Sequence, residues 1–363
     1  IGAQYHTVDD KVHIYITVPE NNSQVYLRLY SSFSAINNET VDWGDGSAIE
    51  PLGSVSNSFS TTGHVYTTAG NYVIRVYNPD ARFHFSGNGS QYKTDLLRND
   101  ASDSSFNIKT TAPLSWITSI EFDTHTTAGT NYYSFSGMNN LRSMAVNTTS
   151  KVTIQRYTFS YCWALKYLTI CDGVTTIANY CFYNCGLEHV AFPNSVYSIG
   201  EYAFNNCYDL REVYLSPTSH SSGALKSNAF VNCYQMEEAI IALLAYTASL
   251  GNFGSCFALT SVKLANYVTL SASAFSYAMA LDKIKLPSTV TTINNAFPSC
   301  YALKTIDCRD HISVPTLSAA SNFNNIDKNY RIIVPDSLYS TWTTTGNWAD
   351  ASVSGHIVKA SEA

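Results

Sequence analysis

The sequence repeats itself between residues 117 and 326. Each unit opens with an apolar residue in the pattern L-x-x-φ-x-φ, in which φ is apolar, and successive openers lie 22 to 26 residues apart. A unit of this length cannot bury its apolar residues alone, so the units are expected to stack as the coils of a solenoid. The openers are Ile117, Leu141, Leu165, Leu187, Leu210, Met236, Leu259, Leu281 and Leu303.

Two further positions recur in each unit. A phenylalanine stands five or six residues before the next opener, and a small or medium apolar residue, usually cysteine, follows it by three residues. Leucines at fixed places with a period of about 20–29 residues are typical of a leucine-rich repeat solenoid. The phenylalanines are Phe135, Phe159, Phe182, Phe204, Phe230, Phe253, Phe275, Phe297 and Phe323.

Six of the nine cysteines occupy this F-x-x-C position: Cys162, Cys185, Cys207, Cys233, Cys256 and Cys300. Equivalent side chains of stacked coils run parallel, roughly 4.8 Å apart. A disulfide needs its Cβ atoms closer, at about 3.5–4.5 Å, with a specific dihedral angle. We therefore predict that these cysteines and the repeat phenylalanines, among them Phe159, Phe182, Phe204, Phe230, Phe275 and Phe297, form the structural core. Disulfide bridging is the alternative.

The composition and the absence of common motifs argue against several classes of function. Charged residues make up 13% of the chain and the net charge is −6, with no basic block, which argues against nucleic acid as a partner. A transmembrane helix needs about 18 or more consecutive apolar residues, and no uninterrupted apolar run in the sequence approaches that length. No H-E-x-x-H, C-x-x-C or G-x-S-x-G motif occurs, so we expect no enzyme, cofactor or metal.

The sequence contains two pairs of residues that are candidate chemical sites. His189 and Glu212 fall on adjacent predicted coils and suit an acid/base pair, although neighbours of this kind are more often surface polar residues. Cys181 and Cys185 lie four residues apart and suit a zinc pair only if both side chains converge. We expect Cys185 to point inward and Cys181 outward, which disfavours zinc.

Residues 1–86 lack the repeat. Apolar and polar residues alternate within three runs, Val12–Val18, Val25–Tyr30 and Tyr72–Tyr77, as in half-buried strands. Turn-rich segments separate the runs, so this region is predicted to be a small antiparallel β-sandwich. Residues 87–113 are polar and are predicted to be a linker and N-terminal solenoid cap, with Trp116 covering an apolar edge.

Two motifs in residues 1–86 resemble the polycystic-kidney-disease (PKD) domain, an immunoglobulin-like β-sandwich. Val41–Ser47 reads Val-Asp-Trp-Gly-Asp-Gly-Ser, and His64–Tyr72 reads His-Val-Tyr-Thr-Thr-Ala-Gly-Asn-Tyr. The resemblance implies a spacer or interaction module. Asp42 and Asp45 suggest calcium binding, but the alternative is that they bond to backbone amides within the turn.

The repeat unit itself resembles the leucine-rich repeats of BspA-type bacterial surface proteins. The segments 187–207, 281–300 and 165–185 follow the form L-x-x-I-x-I-P-x-S-V-x-x-I-G-x-x-A-F-x-x-C closely. The resemblance covers residues 114–329 and implies a right-handed solenoid of about nine coils. It also implies an exported bacterial protein, secreted or at the cell surface, whose leader is removed and whose role is adhesion or macromolecular binding. We expect a monomer.

Residues 330–363 leave the repeat and are predicted to cap the solenoid. Strands are expected at Tyr330–Pro335 and His356–Lys359, with a short helix between them that has Asp336 as its N-cap. Trp342 and Trp348 are expected to seal the last coil. The predicted fold class is therefore mainly β, with a PKD-like sandwich, a leucine-rich repeat solenoid and a C-terminal cap.

The third and fifth strand positions of each coil are predicted to face the open side of the sheet. We hypothesise that this face binds a protein or carbohydrate ligand, since tyrosine offers contact area at low entropic cost. A solvated face without a partner is the alternative. Other functions left open are a spacer or scaffold of the cell envelope and a polysaccharide-holding accessory to a separate enzyme. The candidate binding residues are Tyr167, His189, Glu212, Tyr214, Glu238, Lys263, Lys283 and Lys285.

Overall fold

The computed structural model of the chain describes residues 11–31, 40–51, 58–77, 83–84, 97–98, 116–124, 136–148, 151–215, 224–241, 249–265 and 269–363. The chain divides into two compact units, Ile1–Leu187 and Glu188–Ala363. Strands are the main regular secondary structure of both units, and the repeat coils stack as a solenoid, which confirms the predicted fold class of the repeats.

Thirteen strands are described in the first unit. They are β1 (Lys11–Val18), β2 (Ser23–Ser31), β3 (Thr40–Asp42), β4 (Glu50–Pro51), β5 (Ser58–Tyr66), β6 (Gly70–Tyr77), β7 (Phe83–His84), β8 (Leu97–Arg98), β9 (Ile117–Thr124), β10 (Ser143–Thr148), β11 (Val152–Ile154), β12 (Tyr167–Ile170) and β13 (Val174–Ile177). Strands β1, β2 and β6 match the three runs expected from alternation. The PKD-like assignment of this region stays a prediction.

Strand β1 lies between β6 and β9 and pairs antiparallel with both. Its Val12, Ile14 and Ile16 are buried, as expected for side chains at every second position of a strand with one face on a core. The edge of the first repeat strand is thus paired with β1. The segment 87–113, to which the sequence assigned the capping of this edge, lies almost wholly outside the described residues.

The repeat strands of the first unit are parallel. Strand β10 pairs in register with β9 and with β12, and β11 pairs with β13 on the second side of the coil. Between these sides, the rings of Phe159 and Phe182 stack with centroids 5.4 Å apart. Predicted Phe135 lies outside the described residues.

Fourteen strands are described in the second unit. They are β14 (His189–Ala191), β15 (Ser198–Ile199), β16 (Glu212–Leu215), β17 (Ala224–Leu225), β18 (Glu238–Ile241), β19 (Ser249–Leu250), β20 (Ser261–Leu264), β21 (Thr269–Leu270), β22 (Lys283–Lys285), β23 (Thr292–Ile293), β24 (Thr305–Asp307), β25 (Thr316–Leu317), β26 (Arg331–Val334) and β27 (Ile357–Lys359). Strand β15 pairs in parallel with β17. Three further parallel sheets have the strand orders β16-β18-β20, β19-β21-β23-β25 and β22-β24-β26-β27.

A ladder of buried phenylalanines fills the coils of the second unit. Phe204, Phe230, Phe253, Phe275 and Phe297 are fully buried. Neighbouring centroids lie 5.4 to 6.5 Å apart from Phe204 through Phe323, with ring planes within 15° of parallel. Each ring therefore covers the ring of the next coil.

In most described coils, the repeat phenylalanine is flanked by two residues whose backbone adopts the left-handed conformation. One stands two residues before it and one two residues after it, with φ between 45° and 64°. Asparagine tolerates this conformation better than most side chains and fills several of these positions, but tyrosine fills others. The residues are Tyr157, Tyr180, Tyr202, Asn228, Ser273 and Asn295 before the ring, and Tyr161, Asn184, Asn206, Asn232, Ser255, Tyr277, Ser299 and Asn325 after it.

The residue directly before the phenylalanine points inward, which corrects one prediction. Cys181 was expected to point outward, but it is fully buried. It occupies the position held by the buried Ala203, Ala229, Ala274 and Ala296, where the turn directs a small side chain into the coil. Two coils have an asparagine at this position, and both are buried. The side-chain oxygen of Asn252 accepts the N–H of Ala229 at 2.9 Å, and that of Asn322 accepts the N–H of Ala296 at 3.2 Å.

The repeat cysteines are buried and form no disulfides in the described part of the chain, which includes all nine cysteines. The thiols of Cys185, Cys233, Cys256 and Cys300 donate to the phenylalanine carbonyl of the preceding coil, for example Cys300 Sγ to Phe275 O at 2.9 Å and Cys256 Sγ to Phe230 O at 3.3 Å. Burial raises the pKa of Cys256 and of Cys300 to about 12. These thiols therefore stay protonated at neutral pH.

The last 33 residues combine β26 and β27 with short helices, α1 (Tyr339–Thr344) and α2 (Ala351–Ser354), and four-residue or shorter 3-10 turns. Trp342 and Trp348 are buried, and Trp348 Nε1 donates to Pro315 O at 2.7 Å. Asp336 is not an N-cap, because its carboxylate accepts the N–H of Ser361. The side chain that caps a helix here is Asp350, which accepts the N–H of Ser352 at 2.9 Å.

Candidate functional site

The candidate binding residues point away from the core, at alternate positions of short strands. In β16 the side chains of Val213 and Leu215 are buried, while those of Glu212 and Tyr214 are exposed. The strand period of two residues produces this division, so one row of side chains supports folding and the other meets solvent. Tyr167 of the first unit is 62% exposed and Tyr214 of the second is 52% exposed.

An acidic stretch occupies the first coils of the second unit. His189 Nδ1 lies 3.4 Å from Glu212 Oε1, with both side chains more than half exposed. Glu212 of β16 is the direct strand partner of Glu238 of β18, and Glu238 accepts a hydrogen bond from Ser261 Oγ at 3.1 Å. Since His189 and Glu212 sit on an open surface, their arrangement is that of a surface polar contact rather than of an enclosed acid/base dyad.

The basic stretch is smaller than the sequence suggested. Lys263 and Lys283 are exposed, but Lys285 Nζ lies 2.6 Å from Asp310 Oδ2. The hydrogen bond to Asp310 raises the pKa of Lys285 and lowers the pKa of Asp310. The charge of Lys285 is therefore compensated within the chain, and Lys263 and Lys283 remain as the basic groups of this face.

A second exposed row was missed by sequence reasoning. We name it the aromatic ridge: Tyr208, Tyr234, Phe257, Met279 and Tyr301. Each residue stands two positions before an opener and is 36 to 53% exposed. The rings of Tyr208 and Tyr234 lie 4.8 Å apart, as do those of Tyr234 and Phe257. The signal was present in the sequence, since an aromatic residue or methionine directly follows the cysteine position in five successive units.

The first unit carries a cluster of tyrosines beside its coils. Tyr157 and Tyr180 stack at 4.8 Å, and Tyr161 and Tyr183 meet edge to face at 5.4 Å. Arg156 lies over the Tyr157 ring at 4.9 Å. These side chains satisfy one another by ring and cation–π contacts, which accounts for the cluster as local packing.

The carboxylates of Asp42 and Asp45, in the turn of the N-terminal region, accept hydrogen bonds from groups of the chain itself. Asp42 Oδ1 accepts the N–H of Gly44 at 2.8 Å, and Asp42 Oδ2 accepts from Arg75 at 3.1 Å. Asp45 Oδ1 accepts the N–H of Ser47, and Asp45 Oδ2 lies 2.7 Å from His64 Nε2. Burial raises the pKa of Asp45, but the bonds from Ser47 and His64 outweigh it and leave that pKa below its usual value. This pattern favours turn chemistry over calcium.

Metal ligands are not clustered in the part of the chain that the structure describes, where no group of three or more His, Cys, Asp or Glu side chains converges. Cys181 and Cys185 are both buried within the coil, and burial raises the pKa of Cys181 well above its usual value. A zinc ligand must be a thiolate, so these two residues do not suit zinc. Among the described helices, none has the length and apolar character needed to span a membrane.

Comparison with known proteins bears on the repeats. No curated protein sequence matches the chain. Among solved structures, a leucine-rich repeat protein of Bacteroides ovatus is similar at 18% identity over 60% of this chain and 55% of that one, with a TM-score of 0.47. The present chain thus spans about half the length of that relative.

Two further solved structures share the repeat description. A leucine-rich cell surface protein of Faecalibacterium prausnitzii is 17% identical over 59% of this chain and 79% of that one, with a TM-score of 0.32. The leucine-rich repeat protein of T. pallidum is 21% identical over 47% of this chain and 85% of that one, with a TM-score of 0.37.

The family profile of the BspA-type leucine-rich repeat region matches in six copies, over residues 128–247 and 223–342. The two ranges overlap and together span more than half of the chain. They contain the stacked coils, the phenylalanine ladder and the outward strand faces described above. The chain therefore belongs to the BspA-type leucine-rich repeat family.

Proposed function

We propose that this chain is an exported bacterial surface protein that binds a macromolecule, protein or glycan, through the outward face of its repeat strands, without catalysis. The observation that carries the proposal is that these strands alternate buried apolar and exposed side chains, with Tyr167 exposed in the first unit and Tyr214 exposed beside Glu212 in the second. Exposed tyrosines supply contact area without being needed for the core.

The charges on this face support recognition of a polar partner. Glu212 and Glu238 present acidic groups on neighbouring strands, and Lys263 and Lys283 present basic groups on the strands that follow. Such charge order raises specificity and association rate more than affinity. We assign no residue a catalytic role, because the polar pair His189 and Glu212 lies open to solvent.

The experiment is an array of purified extracellular proteins and glycans probed with the wild-type chain and with the double variant Tyr167→Ala/Tyr214→Ala. We expect at least one ligand to bind the wild type and to bind the variant at least tenfold more weakly, with the melting temperature nearly unchanged. The matched control is Tyr277→Ala, which removes a tyrosine of similar exposure from a turn and should bind as the wild type does.

A chain that binds nothing on the array and does not bind itself would favour the scaffold alternative over the binding proposal. Loss of folding in the double variant would contradict the surface assignment of the two tyrosines.

A further inference from the structure

At the centre of the aromatic ridge, Tyr234 presents its ring edge rather than its ring faces. Tyr234 and Phe257 stack with planes 17° from parallel, and the Tyr208 ring covers the other side of Tyr234 at 4.8 Å. A sugar ring stacks on an exposed aromatic face, whereas apolar and aromatic side chains also meet ring edges favourably. The covered faces therefore make the ridge better suited to protein side chains than to a glycan.

The outward charges beside the ridge follow a simple order. Each ridge residue stands four positions before the first outward residue of the strand that follows, so the ridge borders the strand face. From the Leu210 coil to the Leu281 coil, the outward charged side chains of the strands are Glu212, Glu238, Lys263, Lys283 and Lys285, and the charge of Lys285 is compensated by Asp310. Two negative charges are thus followed by two positive ones.

Read in the opposite direction, this series of charges is complementary in sign to itself, so two antiparallel copies would pair negative with positive groups. A two-fold axis between the Met236 and Leu259 coils sets a second copy antiparallel to the first. Glu212 of each copy then lies opposite Lys283 of the other. Glu238 lies diagonally opposite Lys263, because Glu238 is level with Ser261 in the strand register, and long side chains reach each other across a diagonal of about 7–8 Å. A two-fold interface requires this kind of reciprocal pairing.

The same rotation matches the ridge. It brings Tyr234 opposite Phe257 of the second copy and Tyr208 opposite Met279. Aromatic pairs and sulfur–aromatic pairs are both favourable contacts. Lys285 does not disturb the match, because Asp310 compensates its charge at 2.6 Å.

We propose that the macromolecule bound by this face is a second copy of the same chain, joined antiparallel across a two-fold axis between the Met236 and Leu259 coils. The inference rests on the proposed function, since it names the partner of that face. It replaces the monomer expected from the sequence. The pairs lie at an exposed surface, so salt screens them and the association weakens as the ionic strength rises.

The test is sedimentation velocity of the full chain over a wide range of concentration, at low and high salt. We expect the wild type to dimerise in a salt-sensitive manner. Glu238→Lys alone and Lys263→Glu alone should each weaken dimerisation at least tenfold, because each places like charges at diagonally neighbouring positions at two symmetric sites. Circular dichroism and the melting temperature serve as checks that both variants fold.

Two rescues follow from the two-fold geometry. The double variant Glu238→Lys/Lys263→Glu should dimerise again, since both pairs are reversed together. An equimolar mixture of the two single variants should form a mixed dimer, although neither variant dimerises alone. Phe257→Ser should weaken dimerisation in any charge background, whereas Tyr277→Ser should leave it unchanged.

A wild-type chain that stays monomeric at all concentrations would overturn the inference, as would a dimer that both single charge reversals leave intact or a mixture that forms no mixed dimer. Proposed function and inference fail separately. If the chain is monomeric but a foreign ligand binds through Tyr167 and Tyr214, the proposed function stands and the homotypic partner is wrong. If neither kind of binding occurs, both are wrong.

Discussion

The rings of Phe230 and Phe253 stack with their centroids 5.9 Å apart and their planes 4° from parallel. They belong to successive coils and both are fully buried. A ring that is covered by the ring of the next coil removes its apolar surface from water only while the coils stay together. The interior is thus stabilised by contact between neighbours, and the outward strand positions are left for binding.

The first prediction concerns the loss of stability when one buried phenylalanine of the ladder is truncated to alanine. Phe204→Ala should lower the free energy of unfolding by about 3–5 kcal/mol, because Phe204 is fully buried between Phe192 and Phe230 and its removal leaves a cavity. Denaturant unfolding measures the change. The control in the same coil is Tyr208→Ala, which is 41% exposed and should cost much less. Equal costs for the two variants would contradict the assignment of inward and outward positions.

The second prediction concerns the left-handed positions. Tyr277 has φ of 59° and is 46% exposed, so Tyr277→Gly should raise the free energy of unfolding by about 0.5–1 kcal/mol through relief of backbone strain. Its backbone N–H still donates to Pro298 O. Met279→Gly, at a neighbouring exposed position of ordinary φ, should instead lower the free energy. A destabilised Tyr277→Gly variant would show that the tyrosine ring contributes more than the strain costs.

The third prediction concerns thiol reactivity. All nine cysteines lie in described parts of the chain, and Cys171 alone among them is not buried. Because the thiolate is the reactive form and burial raises thiol pKa values, a thiol reagent such as DTNB should modify Cys171 in the folded chain. Unfolding should expose the remaining thiols.

Cys171→Ser provides the control, since the folded variant should react with DTNB hardly at all. Fewer than nine reactive thiols after unfolding without reductant would indicate disulfides and would contradict the buried-thiol ladder.

The fourth prediction is a dependence of stability on pH through His311. This ring is 4% exposed, its Nδ1 lies 3.1 Å from Cys308 O, and it meets the Trp342 ring edge to face. Burial lowers the pKa of His311 in the folded chain. The unfolded chain therefore binds the proton first, and stability should decline as the pH falls below about 6.5, by at most about 1.4 kcal/mol per pH unit.

Urea midpoints measured across this pH range test the dependence. His311→Asn should flatten the decline above about pH 5, whatever its effect on stability at neutral pH. The carboxylates whose pKa values are lowered, such as Asp350, lose their contribution only at lower pH, as the pH falls through their lowered pKa values. An unchanged slope in the variant would remove His311 from this role.

Periodicity predicted the inner structure because stacking repeats the same local rule. The spacing of Leu210, Phe204 and Cys207 recurs in the other units, and each of the nine predicted repeat strands has a strand in the described structure. The position of Cys181 was missed, because an alanine or cysteine before the phenylalanine shows no polarity that would reveal its direction.

Contacts between distant segments were beyond sequence reasoning. The pairing of Ile14 with Ile120 joins residues more than one hundred positions apart, and neither strand carries a mark of its partner. The caps were missed for a related reason. Asp350 precedes a helix, whereas Asp336 is itself the first residue of a 3-10 turn, and the N–H of Ser361 reaches Asp336 only after the chain has folded back. The aromatic ridge was missed because Tyr234 and Phe257 precede the repeat strands, and only the strand positions were predicted to face outward.

The most direct test of coil-on-coil stabilisation is a double-mutant cycle in denaturant unfolding. Phe230→Leu and Phe253→Leu alter stacked neighbours, and their free-energy changes should deviate from additivity by about 0.5 kcal/mol or more. Phe230→Leu and Phe297→Leu alter rings separated by two intervening coils, and their changes should add within about 0.5 kcal/mol. Additive changes for the neighbours, or equal coupling for the distant pair, would contradict the account.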